Sequence, residues 1–338
     1  MARVSKFSTA MQFVYSKYLS TARSFTVAAQ EPILPVKSCA FSPKVAWKRT
    51  GQLQRTISRG FSKAGVGLHS GDEAVVRVLP AMAGEGRYFI IGKCRVRVPA
   101  STIHLSDTTL SVHIGKGGTS VRTVEHLLSA LEGMGIDNCR IEIEGANEVP
   151  ILDGSALEWV EAIEEAGTCI AKNNFGMDVE KMALIVCEPF HVMKGESFVA
   201  VYPAASTRIT YGIDFQQAPA IGCQWFSWSP VDSMTYKEKV APSRTFGLYE
   251  QVEQLRTAGL IKGGSIDNAL VCSITKGWVN PPLRFSDEPC RHKILDLVGD
   301  LSLCAQDGHQ GLPIAHIIAF KASHELHTQF ANALRLAL

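Results

Sequence analysis

No run of the sequence approaches the roughly 18 apolar residues that a membrane span requires, so no transmembrane segment is expected. Cys-x-x-Cys is absent, and the nine cysteines are odd in number and scattered from Cys39 to Cys304. That pattern speaks against a disulfide framework and for free thiols in a reducing compartment. There is no basic, aromatic-interleaved stripe, which argues against a nucleic-acid partner. Acidic residues are missing from Met1 to Gln30, and residues 1–50 carry eight Lys or Arg against the single acid Glu31. The formal charge of +2 therefore hides a remainder that is mildly acidic, with 26 basic and 31 acidic side chains.

A chain of 338 residues that is 46% hydrophobic and 20% charged has ample material for the core of a globular protein of one or two domains. The acid-free start is rich in Ser, Thr and Ala and carries Arg3, Lys6, Lys17 and Arg23. This is the composition of an organellar transit peptide. A mitochondrial address is preferred, with a plastid address as the alternative and a disordered tail as the plainer reading. Residues 1–48 are accordingly set outside the fold.

Strands are expected at 52–58, 74–79, 139–144, 183–188, 197–202, 208–215, 224–228 and 314–320, with another within 265–273, from alternating or continuous apolar residues. Helices are expected from Ser120 to Met134, from a Ser155–Glu158 capping box to Ala166, over 246–258, around His292, and over 323–336. Gly65-Val66-Gly67-Leu68-His69-Ser70-Gly71 reads as a tight hairpin turn, because a phosphate loop would need a Lys-Ser/Thr ending. The irregular stretch 167–180 marks a boundary. Each half then holds several strands and a His-bearing helix, which predicts an α+β protein of two similar domains, 49–175 and 176–338.

The densest chemistry lies in Arg291-His292-Lys293-Ile294-Leu295-Asp296-Leu297-Val298-Gly299-Asp300. On a helix, His292, Asp296 and Asp300 share a face. An imidazole and a carboxylate at this spacing can hold a metal ion, though the same pair is commonly a plain helix contact. A third ligand must come from elsewhere, and His126 in Thr123-Val124-Glu125-His126-Leu127 is the best candidate. Two His, one Asp and an adjacent Glu are the donors and base of a hydrolytic zinc site, and iron(II) suits the same set.

Several collinear stretches resemble one family. They are Gly65–Gly71, Thr123–Leu127, Gly135-Ile136-Asp137-Asn138, Ile151-Leu152-Asp153-Gly154-Ser155-Ala156, Ser243-Arg244-Thr245-Phe246-Gly247, Gly263-Gly264-Ser265 and Arg291–Asp300. Together they are similar to LpxC, the zinc-dependent UDP-3-O-acyl-N-acetylglucosamine deacetylases of lipid A biosynthesis. The resemblance implies two domains, each a sheet with two helices, packed helix to helix around the metal.

It also implies metal ligands His126, His292 and Asp296, with Glu125 as general base and Thr245 near the oxyanion. His324 would be the acid for the leaving amine, oriented by Asp300, while His327 is set aside. Ala322-Ser323 stands where the family has Ser-Gly. Lys293, Phe215, Phe246 and Lys321 are the implied substrate-binding residues, and a helical insert at 246–262 would form an acyl tunnel. The implied partner is a UDP-linked acylated amino sugar, with peripheral lipid contact through that substrate, and the protein is expected to be a monomer. Two alternatives stay open: a zinc amidase for a different acetamido sugar nucleotide, and a non-catalytic zinc- or lipid-binding protein.

Overall fold

The computed structural model describes residues 43–338, Asp232 and Pro281 excepted. Most of the expected leader lies outside the described residues. The fold begins earlier than expected, in a strand Val45–Leu53 that pairs antiparallel with Glu180–Val186. Val45 is fully buried while Lys48 and Arg49 stay exposed. The basic residues that extended the leader reading are thus exposed positions of a strand. The strand expected at 52–58 is broken at Gln54. This buried amide accepts from the Gly84 amide at 2.9 Å and donates to the Asp307 carbonyl at 2.9 Å, leaving Arg55–Ile57 as a separate short strand.

Two five-stranded sheets dominate an α+β architecture. The first contains β1 (Phe61–Val66), β2 (Glu73–Pro80), β3 (Arg87–Ile91), β4 (Val96–Pro99) and β5 (Cys139–Gly145), in the order β1-β2-β5-β3-β4. The second contains β6 (Phe190–Lys194), β7 (Ser197–Pro203), β8 (Arg208–Phe215), β9 (Gly222–Trp228) and β10 (Ala315–Phe320), in the order β6-β7-β10-β8-β9. In both, the last strand in sequence inserts centrally, antiparallel to the second and parallel to the third. In both, a small three-stranded sheet interrupts the chain between the fourth strand and the helix preceding the fifth.

Six α-helices occur among the described residues: α1 (Glu125–Gly133), α2 (Leu157–Ala166), α3 (Ser233–Lys239), α4 (Tyr249–Thr257), α5 (Glu288–Leu301) and α6 (His324–Leu336). None is long and apolar enough to cross a membrane.

Three helix starts differ from expectation. Residues 119–122 form a strand, and the chain turns into α1 only after Thr123, whose φ is +59°. The buried Thr123 hydroxyl donates to Glu148 at 3.0 Å, which holds this left-handed conformation against its steric cost. The Ser155 capping box does not close. Ser155 accepts from the Leu157 amide at 3.1 Å, but Glu158 pairs with Lys63 at 3.2 Å instead of reaching back. Finally, Phe246–Leu248 is a strand parallel to Leu270–Ser273, so α4 starts at Tyr249.

The glycine-rich turn between β1 and β2 is a hairpin turn, as expected, and it wraps an internal anion. Buried Glu148 accepts from the His69 and Ser70 amides, each at 2.8 Å. A Cβ on Gly67 would lie 2.4 Å from the Glu148 carboxylate, so only glycine fits there.

The site is positioned by the crossing of α1 and α5. A Cβ on Gly299 would come within 2.1 Å of the Glu125 carbonyl, so the two backbones touch at that point. One turn further along α1, the Ser129 hydroxyl donates to the Leu295 carbonyl at 2.7 Å and accepts from Tyr236 at 2.7 Å. Apolar faces carrying Leu127, Leu128 and Leu131 on α1 and Ile294, Leu295 and Val298 on α5 are fully buried around this contact.

Candidate metal centre and active site

The crossing brings the three expected ligands together. His292 Nε2 lies 3.3 Å and His126 Nε2 3.7 Å from Asp296 Oδ1, and all three residues are buried. The two imidazoles meet edge to face with ring centroids 5.0 Å apart. Ligand atoms each about 2.0–2.1 Å from one tetrahedral centre must lie about 3.4 Å from each other, so these separations suit a shared ion. The hydrogen bonds point the same way. His292 Nδ1 donates to the Ser243 carbonyl at 2.9 Å, which orients the ring and leaves Nε2 as the free donor atom. Asp296 Oδ1 is buried without a hydrogen-bond partner, an expensive state unless a cation takes it up. The other oxygen, Oδ2, holds Lys293 Nζ at 2.6 Å. Burial works against the charge on Asp296, yet His292, Lys293 and His324 outweigh it and keep its carboxyl well below the usual range.

Glu125 stands in the first turn of α1, where the helix favours negative charge. Its Oε2 accepts from the Val112 amide at 3.0 Å, leaving Oε1 turned towards His324 Nε2, 3.9 Å away. Burial pushes the Glu125 carboxyl above the ordinary range, partly opposed by His324 and His126. That is the direction a general base working near neutrality requires. His324 Nε2 also lies 3.9 Å from Asp296 Oδ2, and its Nδ1 donates to Asp300 Oδ2 at 2.8 Å. Burial alone would lower its pKa, but Asp300, Asp296 and Glu125 raise it to about 9. The three candidate metal ligands, a candidate base and a candidate acid therefore lie buried within about 4 Å of one another in a chain of contacts.

Thr245 is fixed through its backbone, which donates to the Gly154 carbonyl at 2.7 Å, and lines the neighbouring cavity. The expected substrate residues form a path leading away from the ligands. Phe246 packs edge-on to His292, with centroids 6.5 Å apart, and meets Phe215 at 5.5 Å. Beside Phe215, Asp214 lies 3.9 Å from Lys321 Nζ, which also pairs with Glu196 at 3.2 Å. On the other side is an apolar cavity of about 310 Å³. Leu255 and Ile261 of the expected insert line it, together with Val252, Ile266 and Ala269, while Leu260 does not.

Two neighbours of the site escaped sequence reading, the Val112 amide and the Ser243 carbonyl, and a third, His327, was named there but set aside. The first two are backbone groups with no side-chain signal. His327 did carry one, since it stands three residues after His324 on a helix. It is fully buried, and its Nδ1 lies 2.8 Å from the same Asp300 oxygen. His309 is a loop residue outside this site and accepts from the Met182 amide at 3.2 Å.

The family model of LpxC, described as UDP-3-O-acyl N-acetylglycosamine deacetylase, matches residues 54–335. A probable UDP-3-O-acyl-N-acetylglucosamine deacetylase 1, mitochondrial, of Arabidopsis thaliana is 51% identical over 323 residues, covering 92% of this chain and 98% of its own. The UDP-3-O-acyl-N-acetylglucosamine deacetylase of Trichormus variabilis is 51% identical over 292 residues, covering 83% and 98% of the two chains. That of Synechocystis is 46% identical over 285 residues, covering 82% and 97%.

Proposed function

The chain belongs to the LpxC family of UDP-3-O-acyl-N-acetylglucosamine deacetylases, and from that premise we propose that it hydrolyses the N-acetyl group of a UDP-3-O-acyl-N-acetylglucosamine to acetate and the free amine. The observation that carries this reading is the buried convergence of His126, His292 and Asp296 beside Glu125 and His324. His126, His292 and Asp296 would hold the metal, proposed to be zinc, with iron(II) compatible with the same donors. A divalent ion held there supplies Lewis acidity to water and to the amide carbonyl.

Glu125 takes the proton from the attacking water as its oxygen bonds to the acetyl carbon. Thr245 faces the developing oxyanion. As the C–N bond breaks, His324 delivers its proton to the leaving nitrogen. Asp300 keeps His324 oriented and charged for that transfer. The Phe246–Phe215 path, ending at Lys321, takes the uridine diphosphate side of the substrate, and Lys293 balances phosphate charge. The cavity lined by Leu255 and Ile261 takes the acyl chain. In this reading residues 49–175 and 176–338 act as two domains whose helices α1 and α5 form the floor of the metal cleft. Mitochondrial residence is supported by the names of the Arabidopsis relatives, and the working unit is proposed to be a monomer.

The test is acetate release from UDP-3-O-acyl-N-acetylglucosamine by the purified protein, before chelation, after it, and after restoring one equivalent of zinc. Loss and recovery are expected. Zinc-loaded protein that binds one ion but releases no acetate would overturn the reaction.

A further inference from the structure

His327 has no place in the reaction just described, yet it occupies the oxygen on which His324 depends. Asp300 receives both imidazoles on Oδ2, each Nδ1 at 2.8 Å, while Oδ1 has no partner. All three groups come from helices, Asp300 from α5 and both histidines from α6. Behind His327, the buried Tyr211 hydroxyl on β8 lies 2.8 Å from its Nε2 and donates to the Ala322 carbonyl at 2.8 Å. The Tyr211 and His327 rings meet edge to face at 5.7 Å. The contacts close a circuit: His324, Asp300, His327, Tyr211, and back to the residue two positions before His324.

That circuit sits where the chain most needs support. His324 is the first residue of α6, and Ser323, in the capping position, makes no side-chain capping bond. Just before it, Lys321 holds a φ of +51°, a conformation strained for a side chain of its kind. An uncapped helix start after a strained residue is a poor platform for a group that must aim one proton. Asp300 fixes the ring of His324, but a carboxylate held on one side can swing about its own bond. A second donor on the same oxygen, delivered by a fully buried ring, removes that freedom.

We propose that His327 is a positioning residue for deacetylation, acting through Asp300 on His324 and locked in place by Tyr211. The assignment rests on the deacetylase reading, and its test must separate the two. The full-length zinc-loaded protein is compared with His327→Phe, which keeps a ring and loses the donor, His327→Gln, which keeps an N–H donor, and Tyr211→Phe. Each is made in the wild-type and the His324→Ala background.

His327→Phe is expected to lower kcat by about ten- to a hundredfold, the scale typical of lost outer partners, with KM and zinc content unchanged. His327→Gln should recover part of that loss. In the His324→Ala background His327→Phe should cost nothing further, because the residue it serves is gone. Wild-type kcat in His327→Phe, or equal losses in both backgrounds, would overturn the proposal. If His327→Phe does not fold, Tyr211→Phe in the two backgrounds carries the same comparison. The downfield proton signal of the His324–Asp300 bond provides a readout without turnover. It should be sharp in wild type and broadened in His327→Phe. If that difference appears in a protein that releases no acetate, the reaction is misassigned and the positioning role stands; if it does not appear, the role is refuted.

Discussion

The two five-stranded sheets have the same strand order and the same strand directions, but the helices attached to them divide the chemistry unequally. In the first half, α1 carries Glu125 and His126, while α2, the helix after the central strand, carries no proposed site residue. In the second half, both corresponding helices contribute: α5 supplies His292, Asp296 and Asp300, and α6 supplies His324. The small inserted sheets diverge as well. The first leads through Thr123 into α1, whereas the second carries α4 and walls most of the apolar cavity. In the proposed reading, similar scaffolds thus leave the first half supplying a base and one ligand, and the second the remaining ligands, the acid and the wall for the acyl chain.

The most severe challenge to this division is Glu125→Ala. Acetate release should fall by about 10²- to 10⁴-fold, as expected for loss of a general base, while bound zinc measured by elemental analysis stays at the wild-type level. Undiminished turnover would move the base to the second half. The crossing itself can be stressed with Gly299→Ala. The added Cβ would press on the Glu125 carbonyl, and thermal unfolding should show a loss of about 1–3 kcal/mol. An unchanged melting curve would mean that the halves are not in register at that point.

The inserted wall is probed by Ala269→Leu, which extends into the cavity. KM for a long-acyl substrate should rise about tenfold, since methylene-scale fit in an apolar pocket is worth 1–3 kcal/mol. A short-acyl substrate should be unaffected, and equal changes for both would place the acyl chain elsewhere.

The mildest test uses pH and metal-free protein. The His324 pKa is raised from 6.5 to about 9, so its contribution to stability is fully present below pH 6.5 and is lost as pH rises through about 9. Melting temperature should therefore decline more across that window in wild type than in His324→Ala. Parallel curves would show that His324 is not held charged by the acids around it.

Much of this was legible in the sequence because it rests on spacing. His292 and Asp296 declare themselves by a helical interval, and β8 was delimited correctly over Arg208–Phe215 by its alternation of polar and apolar residues. The errors share a physical origin in long-range partners. Thr123 bends the chain because Glu148 lies behind it, and Ser120 therefore starts no helix. Phe246 joins a strand because Leu270 is its neighbour, overriding a helical pattern. Glu158 pairs with Lys63 instead of closing a cap. The Gly-Val-Gly turn reads as a hairpin, as it is, but its amides also bind an anion, the protein's own Glu148. No local pattern could name that carboxylate.

The proposed ligands lie far apart in sequence, with His126 on one helix and His292 and Asp296 on another, brought together where α1 crosses α5. During synthesis, a chain that has completed its first half offers a metal a single imidazole from this set. High-affinity capture must wait until α5 has been made and has docked, so metal acquisition should be a late folding event. A bound ion would then report that the two helices have met, and a quality-control system that sensed metal content would be sensing completed assembly.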